Sequence, residues 1–279
     1  MTNGGLSFGQ RLDEAVSRFG PLCVGIDPHV ALLKDWGLSD DARGAESFGR
    51  TVIEASAGRV AIVKPQVAFF ERFGSAGIAA LERVLADARE AGVLTIADAK
   101  RGDIGSTMGG YAEAWLSPGS PLEADSVTLS PYLGFGSLQP AIALAKQHGK
   151  GLFALAATSN PEGASVQAQG EPSVAASIAA AAALANADAD RVGSIGLVIG
   201  ATVRAADYGI ELDSLVKTPI LAPGFGAQGA TAADLVDRFA TAAPRVLVSE
   251  SRSILSAGPT GLVDVIERER AAIAAVLHG

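Results

Sequence analysis

The sequence predicts a (β/α)8 TIM barrel, an α/β fold, as a single domain over residues 1–279 with an N-terminal helix. Three observations carry that prediction. Eight short apolar runs recur along the chain with helical patterns between them. Several of the runs are continuously apolar, as parallel strands covered on both faces must be. The chain has 279 residues, close to the roughly 250 of one such barrel. A doubly wound sheet is the alternative, and the number of strands favours the barrel.

In chain order, residues 6–20 read as an amphipathic helix with Leu6, Phe8, Leu12, Val16 and Phe19 as its apolar set. The predicted strands are 22–26, 60–64, 93–98, 126–129, 152–157, 195–199, 220–222 and 246–249. Helical candidates between them are 76–91, 139–148, 173–187, 231–242 and 262–277. No long linker or repeat interrupts the series. Residues 159–173 are polar, carry Pro161, Gly163, Gly170 and Pro172, and follow the fifth strand. Such a loop reads either as a lid over the catalytic face or as a surface insertion.

Composition narrows the function. Hydrophobic residues make up 48% and charged residues 19%, which is globular. A net charge of -8 argues against a nucleic-acid surface, which needs clustered Lys and Arg. A small anionic substrate remains compatible, because a local pocket can be basic in an acidic protein. The one cysteine, Cys23, lies in an apolar run and reads as a packing residue. His29, His148 and His278 lack metal-ligand spacing. Residues 1–20 have no apolar leader core, and the alanine-rich stretch 174–187 is too short to span a bilayer. A cytoplasmic location with no membrane partner is expected.

Polar residues recur at the C-terminal ends of the predicted strands, where barrel enzymes build their sites. Asp27, Lys64, Asp98, Lys100, Thr128, Ser130, Thr158, Ser159, Gln228 and Arg252 all sit there. The densest stretch is Thr95 to Thr107. Alternation along a strand points Asp98 and Lys100 the same way. Gly102 then allows a turn, and Asp103 falls where a helix could start, a position suited to an Asp cap. Two carboxylates around one ammonium read either as a catalytic set or as an ion-pair cluster closing the barrel mouth. Residues 224–229 fit G-x-G-x-x-G. They follow the seventh strand, not the first of a dinucleotide unit, so a single-phosphate loop is the better reading. Arg252, past the eighth strand, can add a bidentate contact to that phosphate or be a surface ion pair.

The run Ala97-Asp98-Ala99-Lys100-Arg101-Gly102-Asp103-Ile104 resembles the signature of the orotidine 5′-phosphate decarboxylase family, and the likeness extends over most of the chain. The resemblance implies that Asp27 and Lys64 contact the ribose and the charge network. It implies Asp98, Lys100 and Asp103 as the remaining catalytic set, with Ile104 and Thr107 beside them. It makes Ser159, in Thr158-Ser159-Asn160-Pro161, the contact to the pyrimidine, and Gln228 and Arg252 the phosphate grip. The Thr158–Pro161 segment and its long loop resemble the longer bacterial subgroup. The reaction so implied converts orotidine 5′-monophosphate (OMP) to uridine 5′-monophosphate (UMP), the last step of de novo pyrimidine nucleotide synthesis. Lys100 would stabilise and protonate the C6 carbanion, with no metal or organic cofactor. The partners implied are the nucleotide and a second copy of the chain, in a homodimer with shared sites. Two other readings stand beside this one. One is a related magnesium-dependent decarboxylase or aldolase acting on a sugar phosphate; the other is a non-catalytic phosphate-binding barrel.

Overall fold

The computed structural model describes residues 5–227 and 229–278. Strands β1 (Leu22–Ile26), β2 (Ile62–Pro65), β3 (Leu94–Arg101), β4 (Ser126–Leu129), β5 (Gly151–Ala157), β6 (Ile195–Ile199), β7 (Ile220–Pro223) and β8 (Val246–Glu250) close in sequence order into one parallel barrel. Closure runs through β8 and β1, where Leu22 pairs with Val248 and Val24 with Glu250. The helices among the described residues are α1 (Phe8–Phe19), α2 (Val30–Asp35), α3 (Ala42–Ser56), α4 (Ala68–Glu71), α5 (Gly74–Glu90), α6 (Gly105–Leu116), α7 (Gln139–His148), α8 (Ala164–Gln167), α9 (Val174–Ala185), α10 (Ala232–Phe239), α11 (Arg252–Leu255) and α12 (Gly258–His278). The predicted (β/α)8 class is the observed one. Between β6 and β7 the crossover is made of 3-10 turns at Ala205–Tyr208 and Leu212–Leu215.

Alternation divides the strands other than β4 between two cores. Outward residues such as Val24, Val63, Val127 and Leu197 join the larger core beneath the helices. Inward residues Cys23, Ile62, Ile96, Phe153, Val198, Leu221 and Leu247 form a second cluster inside the barrel. Helix α1 plugs that inner cluster from below. Its start is a capping box: Gln10 N donates to Ser7 Oγ at 3.2 Å, and Ser7 N donates to Gln10 Oε1 at 2.9 Å. Phe8 and Leu12 then turn into the barrel floor, where Phe8 meets Phe153 edge-on with centroids 6.1 Å apart. Glycines make room for the two rings. A Cβ at Gly151 would lie 2.2 Å from Phe8, and one at Gly196 2.4 Å from Phe153. Arg11 fastens the plug, donating to Asp125 Oδ1 at 2.5 Å and to the Gly149 carbonyl at 2.9 Å.

The structure corrects several expectations. Leu6 precedes α1 and is exposed, so the helix's apolar face begins at Phe8. The third strand does not stop at 98 but runs to Arg101. Helix α3 lies outside the predicted helical stretches, and Gly44, Gly49 and Thr51 lower its local propensity. Those glycines serve packing: a Cβ at Gly44 would lie 1.9 Å from the Ser39 carbonyl, and one at Gly49 2.6 Å from Val84. Ser173 and Thr231, read as first helical residues, are the N-caps of α9 and α10. The loop 159–173 holds a 3-10 turn at Pro161–Gly163 followed by α8.

The plug predicts a stability effect. Phe8→Ala should lower the unfolding free energy by about 3–5 kcal/mol, read from urea denaturation, because the Phe153 ring cannot collapse into the vacated floor. A loss below about 1 kcal/mol would mean that α1 does not seal the barrel.

Candidate active site

The inward ladder continues upward and changes character. Two residues above Ile62 comes Lys64, two above Ile96 comes Asp98, and two above Leu247 comes Ser249. These residues sit on the apolar layer and open into a cavity of about 300 Å³ at the C-terminal mouth of the barrel. Asp27, Lys64, Asp98, Lys100, Ser159 and Arg252 all line it. Six residues from five separate stretches of sequence thus meet at one place.

Asp98 is the centre of this site. Lys64 Nζ donates to its Oδ2 at 3.2 Å, and Lys100 Nζ donates to its Oδ1 at 2.5 Å. Thr128 Oγ1 donates to the same Oδ1 at 2.9 Å and accepts the Lys100 backbone N–H at 2.9 Å. Asp98 and Lys64 are buried, at 8% and 5% exposure, whereas the Lys100 side chain is 45% exposed toward the cavity. Burial alone would push the Asp98 carboxyl up. The Lys64 and Lys100 ammonium groups outweigh it and hold the group at about 2. Burial alone would likewise push the Lys64 ammonium down, and the Asp98 and Asp27 carboxylates reverse this and raise it. Beneath them, burial pushes the Cys23 thiol up to about 12, consistent with a neutral packing residue.

The pairing of Asp98 with Lys100 is not simple alternation. Opposite β4, Ala97 is in register with Val127 but Arg101 with Leu129, so β3 carries extra residues between these pairs. Lys100 takes up the distortion with φ 49°, a left-handed backbone that a side-chain-bearing residue rarely adopts. The Thr128 hydroxyl holds the Lys100 N–H in that position, and the ammonium returns onto Asp98.

Asp27 ends β1 with its Oδ1 buried and without a hydrogen-bond partner among the described residues. An acceptor left unmet beside a cavity suits a ligand hydroxyl. After β7, the stretch from Gly224 turns through three glycines with positive φ, Gly224 at 119°, Gly226 at 67° and Gly229 at 97°. Gly224, Phe225 and Ala227 line the same cavity as Asp27 and Arg252. Gln228 lies outside the described residues.

Asp103, Ile104 and Thr107 are not among the cavity-lining residues of this chain. Asp103 is not the N-cap of α6; Ile104 is, and Asp103 Oδ1 accepts the Ile104 N–H at 2.8 Å. Ile104 and Thr107 are exposed. The residues that sequence reasoning missed are Gln66, Ser249 and Ser251, which line the cavity. Each continues a period of two from an inward apolar residue, a signal present in the sequence. Ser251 also needs a partner that sequence does not reveal: a Cβ at Gly25 would lie 1.9 Å from its Oγ.

Comparison with known proteins gives a consistent set. The model of the orotidine 5′-phosphate decarboxylase / HUMPS family matches residues 20–261. A Streptomyces coelicolor orotidine 5′-phosphate decarboxylase is 54% identical over 255 residues, covering 90% of this chain and 91% of that protein. The Salinispora tropica orotidine 5′-phosphate decarboxylase is 55% identical over 257 residues, covering 91% of each. A crystal structure from Streptomyces avermitilis superposes with a TM-score of 0.94 at 50% identity, over 100% of this chain and 98% of that one. An OMP decarboxylase from Leishmania donovani superposes with a TM-score of 0.78 at 29% identity, over 98% and 100%.

The charge cluster predicts a titration. Because the Asp98 carboxyl is held at about 2 against an ordinary 3.8, its ionised form stabilises the fold above pH 3.8, and that contribution is lost as pH falls toward about 2. In Lys64→Met the Asp98 carboxyl signal, followed by carbon-13 NMR, should titrate at a higher pH than in the wild type. An unmoved titration would show that Lys64 does not hold Asp98 ionised.

Proposed function

The chain belongs to the orotidine 5′-phosphate decarboxylase / HUMPS family, and we infer that its reaction is the decarboxylation of OMP to UMP in pyrimidine biosynthesis. It is a carboxy-lyase. The observation that carries the reading is the Lys64–Asp98–Lys100 chain at the wall of a cavity large enough for a nucleotide's reacting end.

Breaking the bond between C6 and the carboxylate releases carbon dioxide and leaves the electron pair on C6. That pair lies in the ring plane, where no π system delocalises it, so a cation must already be in place. Lys100 is that cation: its ammonium faces the cavity, stabilises the carbanion and gives it a proton. Asp98 would lie near the leaving carboxylate, and Lys64 keeps Asp98 ionised. Asp27, with its unmet acceptor, receives a ribose hydroxyl, and Ser159 contacts the pyrimidine. The Gly224–Ala227 backbone, Gln228 and Arg252 hold the phosphate. Both Asp98 oxygens are met by Lys64 and Lys100, and the reaction we propose calls on no metal or organic cofactor. Eight strands closing one barrel support one domain acting as a unit.

We further propose a homodimer in which Asp103 and Thr107 complete the partner's site. What supports it is the exposure of Ile104 (62%), Tyr132 (81%) and Leu133 (54%) on the loops after β3 and β4. Those loops touch each other: a Cβ at Gly102 would lie 2.3 Å from the Ser130 carbonyl. Among the described residues no helix is long and apolar enough to cross a membrane. A cytoplasmic location fits a charged nucleotide that bilayers retain.

An absorbance assay for OMP loss tests the activity directly. Wild type should turn over in excess chelator, and Lys100→Ala should lose turnover while remaining folded. Near-normal decarboxylation by Lys100→Ala would remove it as proton donor. A chelator-sensitive activity restored by magnesium would favour the sugar-phosphate relatives. Subunit mixing tests the shared site. Inactive Lys100→Ala and inactive Asp103→Ala subunits, exchanged in equal amounts, should regain roughly a quarter of native sites if Asp103 acts in trans. No recovery after proven exchange would sink that arrangement.

A further inference from the structure

One buried acid beside the site has no part in the chemistry above. Ser249 and Ser251 line the cavity, so alternation turns Glu250, between them, to the outer side of β8. Glu250 is 6% exposed. An acid at a strand end could reach solvent, and burying it is costly unless it is satisfied. Here Ser253, on α11, donates its hydroxyl to Glu250 Oε2 at 2.6 Å. Burial pushes the Glu250 carboxyl above the usual range, and the Ser253 hydrogen bond opposes that rise.

What rests on this pair is the glycine loop. A Cβ at Gly226 would lie 2.5 Å from Ser253 Oγ and 3.0 Å from Glu250 Oε2, so the backbone of the loop sits directly against both groups. The loop is pinned at the same point from its own side, by Gly226 N donating to the Ala230 carbonyl at 2.8 Å. Arg252 stands between Glu250 and Ser253 in sequence. Fixing the two flanking residues to each other therefore fixes where Arg252 leaves the backbone. Both arms that reach the cavity mouth, the loop and Arg252, thus adjoin one partly buried hydrogen bond.

We propose that Glu250 and Ser253 are positioning residues for phosphate recognition, setting the height of the Gly224–Ala227 backbone and the approach of Arg252 to one anion. This rests on the reading that the loop and Arg252 hold the phosphate. The pair touches no substrate. It acts by removing freedom from the two elements that do, so its effect is confined to the phosphorylated end of a ligand.

The test compares affinities for UMP and for uridine, which differ only in the phosphate. Ser253→Ala removes a single hydroxyl from a half-buried position and should fold. It should weaken UMP binding by about fivefold and leave uridine binding unchanged. Glu250→Gln keeps an acceptor for Ser253 and should retain most of the UMP preference, which Glu250→Ala should lose. A merely structural pair would lower the melting temperature without moving the UMP-to-uridine ratio. An unchanged ratio in Ser253→Ala overturns the inference, as does an equal ratio in Glu250→Gln and Glu250→Ala. Arg252→Ala separates the two levels of the reading. If it lowers the ratio while Ser253→Ala does not, only the positioning role falls. If Arg252→Ala leaves the ratio unchanged, the phosphate lies elsewhere and both fall.

Discussion

The carboxylate of Asp98 is the constraint on which the rest of the site depends. It is buried, ionised and met on both oxygens, by two ammonium groups and one hydroxyl. Removing such a group from water costs several kcal/mol, and only close opposite charges offset that. The offset fixes geometry as well as energy. Lys64 cannot leave without stranding a charge, and Lys100 is held by its ammonium on Asp98 and by its N–H on Thr128. The unusual backbone at Lys100 persists because those bonds over-determine it. A cation already in place needs no reorganisation when negative charge develops beside it.

The barrel supplies that carboxylate with its address. The inward ladder that is apolar at Ile62, Ile96 and Leu247 becomes polar at the next inward step, at Lys64, Asp98 and Ser249. Core and site are consecutive rungs of the same ladder, so the packing that seals the barrel also sets the height of the charges. Glycines tune the fit at both levels. Gly151 and Gly196 admit the Phe8 and Phe153 rings below, and Gly25 admits Ser251 above.

Much of this was legible from the sequence, for physical reasons. Continuous apolar runs, which several of the eight are, betray strands covered on both faces, and the number of runs predicts the closed barrel. Lys64, Asp98, Lys100 and Arg252 were findable because charge at the end of an apolar strand is unusual. The legibility fails where tertiary packing overrides local preference. Helix α3 was hidden by Gly44 and Gly49, whose reason is contact with Ser39 and Val84. The extra residues in β3 were invisible, because alternation alone already placed Asp98 and Lys100 together, although the bond forms by another route. Ser249, Ser251 and Gln66 carry no charge to single them out, and their period of two gains meaning only once the barrel fixes which face is inward.

The closed barrel with its plug is also a constraint on time. Gly9 N donates to Ser194 Oγ across 185 positions, and Arg11 reaches Asp125 across 114. At synthesis rates of about 5–20 residues per second, roughly 10 to 40 s separate the emergence of Gly9 from that of Ser194. Helix α1 therefore leaves the ribosome before its seat exists and waits for it, with Phe8 and Leu12 uncovered. Its Ser7–Gln10 box is a local device that lets the helix form early, while docking belongs to the end of synthesis. The barrel's oldest segment on the ribosome is among the last to find its place.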